Sequence, residues 1–399
     1  MKRQKYKLWF TFCSLVLVAL SVQGCFGGGG QSGKQITTNS NGNSVNIAQN
    51  LFKGKIYLTI DHNLWVLNGN NTQQELLKDG DIHDPAVSPD GKWIAFVVRY
   101  KNYSNIAYMP ASGGKGIRLL DGNGQFVNDS GFEHNTFHWF VQPSWSPDSS
   151  HILFLSDLQK NFYWANLGSP FSDAYFLDLQ VFSIPINNPA NPQLVALASW
   201  GDGGDRDAMY RPGHPDQIAF THYSYDAATK TQQVIQIFME NPNEIANHPG
   251  KYYPGYPGAG YDPAVAVTPE KDQNLQPAFS PDGNAIAYIR RESATSMGLY
   301  VMGVPEGVTT NPNDPTTAKQ ALVPYQHSSH LLSGQYISQP VWSPDGKQIA
   351  YIAYNNGEFD LWLVNVTHNA QTGAYSVQGN PQQLTTGGID GDSRPAWTA

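Results

Sequence analysis

A short apolar segment, a tight polar turn and a second apolar segment recur along the chain. In the clearest copies the turn is Ser-Pro-Asp-Gly. Proline fixes φ in such a turn, Asp and Ser side chains bond nearby amides, and glycine accepts positive φ. The pattern predicts paired antiparallel strands, and the continuous apolar segment after the turn predicts a strand that is buried on both faces. The copies are DPAVSPDGKWIAF from Asp84, QPSWSPDSSHILF from Gln142, the degraded DAMYRPGHPDQIAF from Asp207, QPAFSPDGNAIAY from Gln276 and QPVWSPDGKQIAY from Gln339.

The five copies are regularly spaced. The first isoleucines after successive turns lie 58, 66, 68 and 63 residues apart. A four-stranded propeller blade needs about 40 to 45 residues. Each repeat can therefore hold one blade, and the remaining residues are expected in loops. The isoleucines are Ile94, Ile152, Ile218, Ile286 and Ile349.

A sixth copy is divided between the two ends of the chain. SRPAWTA, at 393–399, matches the strand before the turn, and GKIYLTI, at 54–60, matches the strand after it. Pairing them closes a ring without a free sheet edge, and we expect it to bury Trp397 between neighbouring strands. The sequence therefore predicts an all-β fold, a six-bladed β-propeller of four-stranded blades over residues 51–399, closed by pairing the C-terminal strand with the N-terminal blade.

The repeat P-x-W/F-S-P-D-G-x-x-I-A-[FY] resembles that of the TolB-like propellers and their WD-like relatives, over about residues 51–399. The resemblance implies the fold and leaves the function open, because propellers include both enzymes and scaffolds. TolB has an additional N-terminal α/β domain. In this chain we expect a tether with a lipid site in its place.

The first residues predict export. A basic start precedes an apolar stretch of about thirteen residues, shorter than the roughly 20 that a membrane-spanning helix needs. The sequence Val-Gln-Gly-Cys ending at Cys25 resembles a bacterial lipobox, which implies cleavage before Cys25 and acylation of its thiol. An ordinary signal peptide with an incidental cysteine is the alternative. We interpret residues 1–24 as a lipoprotein signal peptide and residues 25–50 as the acylated cysteine and a flexible Gly/Ser/Asn tether.

The mature chain is expected in the cell envelope, lipid-anchored to a membrane on its extracytoplasmic face. Its only other cysteine, Cys13, lies in the predicted signal peptide, so no internal disulfide can form. Removing residues 1–24 takes away four cations and no anions and moves the net charge from −8 to −12. Because nucleic-acid binding calls for a basic patch, we expect no nucleic-acid partner. We expect a monomer.

Catalytic motifs are missing from the sequence. There is no G-x-S-x-G and no second domain of the size that a propeller-gated serine peptidase needs, and the turns do not match the sialidase Asp-box. His134 and His138, like His327 and His330, have short spacings, but both pairs are best interpreted as loop histidines. We therefore predict no catalytic residue.

Acidic turns precede three inner strands, in DGDIHD, GDGGDRD and GGIDGDSR. If these turns gather at one mouth of the tunnel, their carboxylates could hold a hard cation such as Ca²⁺. We prefer the simpler interpretation, in which Asp and Gly form turns and no cofactor is bound. The candidate metal ligands are Asp81, Asp205, Asp390 and Asp392.

A polar residue begins the inner strand of every blade, and blade geometry is expected to direct it to the tunnel mouth. A ring of hydrogen-bonding groups there could grip a partner's loop or a small ligand, or it could be satisfied by water. The six candidate binding residues are Asp84, Gln142, Asp207, Gln276, Gln339 and Arg394.

Aromatic insertions interrupt the blades at 126–143, 157–171 and 250–263. Aromatic side chains on rigid scaffolds often form binding sites, although they can also pack into separate small cores. We expect the first two insertions to emerge on the face of the acidic turns and to meet beside the tunnel mouth. The candidate partner-binding aromatics are Phe132, Phe137, Trp139, Phe162, Tyr163 and Trp164.

These features predict a lipid-anchored protein-interaction or ligand-binding module whose partner is an envelope protein. The rival hypothesis is an enzyme, a metal- or cofactor-dependent hydrolase or sugar oxidoreductase with its site at the tunnel mouth.

Overall fold

The computed structural model describes residues 36–37, 44–45, 51–70, 72–78, 80–129, 132–160, 178–198, 203–226, 231–248, 263–310, 312, 314–355 and 357–399. The predicted signal peptide, Cys25 and most of the tether lie outside these residues. So do Phe162, Tyr163 and Trp164, and almost all of the third insertion. The predictions that concern them stay predictions.

The strands form six four-stranded antiparallel sheets, as the repeat predicts. Blade 1 contains β3 (Lys55–Ile60), β4 (Asn63–Asn68), β5 (Thr72–Leu77) and, innermost, β28 (Ala396–Thr398). Blade 2 contains β6 (Ile82–Val87), β7 (Trp93–Arg99), β8 (Ser104–Pro110) and β9 (Ile117–Asp121). Blade 3 contains β12 (Phe140–Trp145), β13 (His151–Ser156), β14 (Gln180–Pro185) and β15 (Gln193–Ala196).

Blade 4 contains β16 (Asp205–Arg211), β17 (His214–Tyr225), β18 (Gln233–Glu240) and β19 (Val265–Ala266). Blade 5 contains β20 (Gln273–Phe279), β21 (Ala285–Arg291), β22 (Met297–Gly303) and β23 (Ser329–Gly334). Blade 6 contains β24 (Ser338–Trp342), β25 (Gln348–Asn355), β26 (Glu358–His368) and β27 (Tyr375–Gln383).

A few elements lie outside the blades. Strands β1 (Ile36–Thr37) and β2 (Ser44–Val45) pair with each other, as do β10 (Phe126–Asp129) and β11 (Phe132–Asn135). The described helices are α1 (Glu244–Asn247), α2 (Pro315–Ala321) and α3 (Val323–Gln326). None of these helices has the length and apolar character needed to cross a membrane.

The ring closes through the two ends of the chain, as predicted. Ala396 lies opposite Tyr57 and Trp397 opposite Ile56, and β28 also contacts the inner strands β24 and β6 of the neighbouring blades. The indole of Trp397 donates to the Lys53 carbonyl and packs edge-on against Phe52. The expectation that Trp397 is buried was wrong in degree: the side chain is only partly buried, because it lines the tunnel cavity.

The turns have the predicted chemistry. In blade 2 the Ser88 hydroxyl donates to Asp90 Oδ1 over 2.6 Å and accepts from the Trp93 amide, and Gly91 adopts a φ of +70°. The hydrogen bond from Ser88 is the main reason that the pKa of Asp90 is lowered to about 2. The turn thus fixes where the inner strand ends and the next strand begins.

Apolar clusters fill the interfaces between blades, and indoles fasten neighbouring blades to each other. Trp145 donates from Nε1 to the Ala86 carbonyl of blade 2, and Trp342 to the Ala278 carbonyl of blade 5. A cavity of about 260 Å³ at the turn end of the tunnel is lined by inner-strand residues and by the prolines of the turns. The scaffold behind the loops is therefore continuous around the ring.

Candidate binding face around the tunnel mouth

One face of the propeller carries the loops that lead into the inner strands and the hairpin turns between the second and third strands. We call it the acidic face, and within the described residues it includes 61–62, 78–83 without 79, 99–104, 122–139 without 130–131, 157–160, 335–337, 354–357 without 356, and 386–394. Backbone hydrogen bonds join these loops: Arg99 donates to the Asp81 carbonyl, and Ile82 donates to the His62 carbonyl. The face is thus built on the ends of rigid strands.

Five of the six predicted tunnel-mouth residues share an unusual backbone conformation. Their φ angles lie between +50° and +58°, and each sits where the register between the inner strand and its neighbour shifts. Such bulges bend a strand and redirect a side chain. The residues are Asp84, Gln142, Asp207, Gln276 and Gln339; Arg394 occupies the sixth place without a positive φ.

These side chains bond one blade to the next. The Gln142 Oε1 atom accepts from the Asp207 amide over 2.7 Å, and Gln276 Oε1 accepts from the Gln339 amide over 2.9 Å. Between them, the Thr221 hydroxyl donates to Asp207 Oδ2 and accepts from the Gln276 amide. In blades 3 to 6 the predicted residues of this polar ring are therefore joined by a continuous series of inter-blade hydrogen bonds.

The pattern changes at blade 1, the seam where the two ends of the chain close the ring. Here the Arg394 amide donates forward to Asp84 Oδ1, and the Asp84 amide donates back to the Ser393 hydroxyl. Gln339 Oε1 and Arg394 Nη1 are buried without a hydrogen-bond partner among the described residues. At this seam one acceptor and one donor of the ring are therefore left without a hydrogen bond.

The ring also concentrates charge. Burial raises the pKa of Asp84 and of Asp207, and the Arg394 guanidinium opposes the shift at both carboxyls. The negative charge of Asp207 further raises the pKa of Asp84. Two carboxyls and one guanidinium thus share the tunnel mouth.

The first two aromatic insertions meet on the acidic face, as far as they are described. Asp157 Oδ1 accepts from the Trp139 amide over 2.9 Å. Lys160 Nζ lies 3.0 Å from Asp157 Oδ2, donates to Asn135 Oδ1 over 3.0 Å, and also donates to the Phe137 carbonyl. Both charged side chains are buried, with 0% of Asp157 and 3% of Lys160 exposed. The buried ion pair lies within the second insertion, and the hydrogen bonds of its two members hold the first insertion against it.

A series of stacked aromatic rings, the aromatic ladder, continues from the Asp157–Lys160 ion pair across the acidic face. Tyr100 stacks on Tyr103 with ring centroids 4.6 Å apart, Tyr103 lies parallel to Phe137 at 6.0 Å, and Phe126 meets Phe137 edge-on at 5.3 Å. The ends of the ladder are open to solvent: Tyr100 is 46% and Phe126 73% exposed. Phe137 and Trp139 are partly buried.

The ladder only partly matches the predicted aromatic set. Phe137 is in it, Trp139 lies next to it in the chain, and the side chain of Phe132 is outside the described part. Tyr100 and Tyr103, at the two ends of the turn between β7 and β8, are not in the set predicted from the sequence. Their positions at the two ends of a tight turn could have predicted the stacking, since residues placed in this way lie side by side.

Three of the four candidate metal ligands come together, and two histidines join them. Asp81, Asp390 and Asp392 surround His62 and His83 at the seam between blades 1 and 2. Asp205 lies elsewhere: in blade 4 its Oδ1 is 2.8 Å from His222 Nδ1, and both residues are buried. The sequence pattern did not indicate His62 or His83.

Comparison with solved structures agrees with the architecture. No protein-family model matches the chain. TolB from Acinetobacter baumannii matches with a TM-score of 0.51 and 17% identity, over 86% of this chain and 66% of TolB. A structure assigned as TolB from Agrobacterium tumefaciens matches at 12% identity and a TM-score of 0.45, over 86% of this chain and 93% of the other.

An oligogalacturonate lyase in complex with manganese matches at 12% identity and a TM-score of 0.43, over 86% of this chain and 82% of the lyase. Propellers include both enzymes and scaffolds, so the fold does not choose between catalysis and binding. The chain spans about two thirds of the length of the A. baumannii TolB. At this level of identity the shared feature is the architecture, and the chain has the six-bladed fold of the TolB-like β-propellers.

Proposed function

We propose that the chain is a lipid-anchored binding module of the cell envelope that captures a partner protein on its acidic face. The observation that supports this most directly is the aromatic ladder of Tyr100, Tyr103, Phe137 and Phe126. Its two ends are exposed. Its centre is fixed by parallel stacking and by the neighbouring ion pair of Asp157 and Lys160.

The ladder has the properties of an interface anchor. Aromatic side chains supply a large contact area, and they lose little conformational entropy on binding when they are already held in place. A structural role alone does not require Phe126 to be 73% exposed. A protein surface with a matching apolar pocket would bury both ends of the ladder.

Charge sets the chemistry of the partner. Asp81 and Asp392 lie on the acidic face and are 45% and 60% exposed, and the predicted mature chain carries a net charge of −12. Opposite charge accelerates association and discriminates against wrong partners. We therefore propose a partner with an apolar anchor site and a basic rim.

The membrane location depends on Cys25. Because the chain is held by the lipid in this proposal, Cys25→Ser should abolish acylation and release the protein from membrane fractions. Fractionation of cells that express either form measures this directly. If the variant sediments with membranes as completely as wild type does, the anchor is wrong.

Partner capture depends on the exposed ends of the ladder. Tyr100→Ala combined with Phe126→Ala should weaken binding by about thirtyfold, because central interface aromatics contribute about 2 kcal/mol or more on truncation. The measurement is proximity labelling from the native lipoprotein, followed by titration of the partner that it identifies. Both residues are exposed, so the blades should stay folded.

The same face offers a matched control. Tyr336 and Tyr354 are 57% and 38% exposed and meet edge-on at 5.6 Å beside blade 6, away from the ladder. Tyr336→Ala combined with Tyr354→Ala removes an equivalent aromatic pair, and it should leave partner binding unchanged. Equal losses from the two double variants would mean that the ladder is not the anchor.

A further inference from the structure

Two histidines and three aspartates meet where the ring is closed. His62 comes from the turn between β3 and β4, Asp81 directly precedes β6 and His83 is its second residue, and Asp390 and Asp392 come from the loop before β28. The three sources are brought together only by the pairing of the two chain ends. They lie beside the polar ring, since the Asp84 amide donates to Ser393 of the same loop.

The donor atoms are spaced as ligands of one metal ion. One donor atom each from His62, Asp81 and His83 lies within 4.8 Å of the other two. His62 Nδ1 is 3.4 Å from Asp81 Oδ1 and 3.5 Å from Asp390 Oδ1, and Asp81 Oδ1 is 2.7 Å from His83 Nε2. Bonds of about 2.1 Å in a tetrahedral zinc site place neighbouring ligand atoms about 3.4 Å apart. The two distances from His62 match this spacing, and the Asp81–His83 distance is shorter.

His83 supplies an independent indication of a ligand. Its side chain is only 3% exposed, and its buried Nδ1, which lies 3.7 Å from Asp392 Oδ1, has no hydrogen-bond partner among the described residues. Its Nε2 faces both the Asp81 carboxylate and the Arg99 guanidinium. Nε2 cannot donate to the Asp81 carboxylate and accept from the Arg99 guanidinium at once, so hydrogen bonds within the protein do not satisfy the His83 ring.

The charge of the cluster also fits a divalent cation. Asp81, Asp390 and Asp392 carry three negative charges, and Arg99 carries one positive charge. The carboxylates therefore outnumber the guanidinium by two in a partly buried site. The Arg99 guanidinium contacts Asp392 Oδ2 through Nη1 over 3.1 Å and also faces His83 Nε2, so it competes with a bound ion for the donor set.

We propose that His62, Asp81 and His83 form a binding site for a borderline divalent cation such as Zn²⁺. Asp390, next to His62, is the fourth ligand and supplies an oxygen donor. Imidazole nitrogens select Zn²⁺ and its neighbours, whereas Ca²⁺ takes six to eight oxygen ligands. An ion here joins the first blade, the second blade and the C-terminal loop. It is also the feature that the rival function, a metal-dependent enzyme, would need.

Calorimetric titration of Zn²⁺ into the chelator-treated full chain in detergent tests the site. Wild type should bind one equivalent, and His62→Ala should lose at least about tenfold in affinity. His62 is 56% exposed, so this variant should fold. Co²⁺ should give ligand-field bands of nitrogen and oxygen ligation, and an equal concentration of Ca²⁺ should not displace it.

Two further variants sharpen the result. His330→Ala removes another histidine that lies 3.4 Å from a carboxylate, that of Glu292, and it should leave Zn²⁺ binding unchanged. Arg99→Gln removes the competing cation and should bind Zn²⁺ more tightly. The site is refuted if wild type binds no Zn²⁺, or if His62→Ala binds it as tightly as wild type does. These titrations need no partner protein, so they are independent of the proposed binding function.

Discussion

Deleting residues 394–399 should lower the free energy of unfolding by about 3 kcal/mol or more. Truncation of a buried tryptophan commonly costs about 3 to 5 kcal/mol. Trp397 is only partly buried, but the deletion also leaves the edge of β3 unpaired and removes the Arg394 amide from Asp84. Chemical denaturation monitored by tryptophan fluorescence measures the loss.

Two point variants separate the causes. Trp397→Ala removes the indole and keeps the strand, so it should cost about half of the loss of a fully buried tryptophan. Gly54→Ala keeps β28 intact but places a methyl group against the Thr398 carbonyl, at a φ of +80° that disfavours other residues. An unchanged unfolding midpoint for the deletion would contradict ring closure at this seam.

Replacing Lys160 by methionine should destabilise the region around the two insertions by about 3 to 5 kcal/mol. The substitution keeps the length of the side chain but leaves the buried Asp157 carboxylate without its counter-charge. The Phe137 carbonyl and Asn135 lose their donor as well. Hydrogen exchange of the backbone amides over residues 132–160, together with denaturation, measures the change.

The double variant Asp157→Asn with Lys160→Met should recover much of this loss. Removing both charges eliminates the unpaired carboxylate, and an asparagine oxygen can still accept from the Trp139 amide. A double variant that is no more stable than Lys160→Met alone would show that the pair does not act as a buried ion pair.

The sequence predicted most of the scaffold, because the physics of the repeat is local. The Ser-Pro-Asp-Gly turn specifies its own hydrogen bonds, as Ser88 and Asp90 illustrate, and the apolar segment after it specifies burial. The division of one blade between the chain ends followed from the same pattern, because 54–60 and 393–399 match complementary halves of it.

The site was less predictable because its contacts are not local. Asp390 and His62 lie 328 residues apart in the sequence, and their contact exists only after the ring closes. The ion pair and hydrogen bonds of Lys160 likewise depend on a loop conformation that the composition of 157–171 does not reveal. Polarity at the starts of the inner strands was recognisable, but the positive φ that turns Gln142 toward Asp207 was not.

The proposal that the aromatic ladder anchors the partner is tested most directly by comparing the two aromatic pairs of the acidic face in one experiment. Wild type, the Tyr100/Phe126 double alanine variant and the Tyr336/Tyr354 double alanine variant are titrated with the same envelope partner, after equal folding has been verified by denaturation. We expect about thirtyfold weaker binding for the first variant and wild-type binding for the second. Wild-type binding by the Tyr100/Phe126 variant would contradict the proposal.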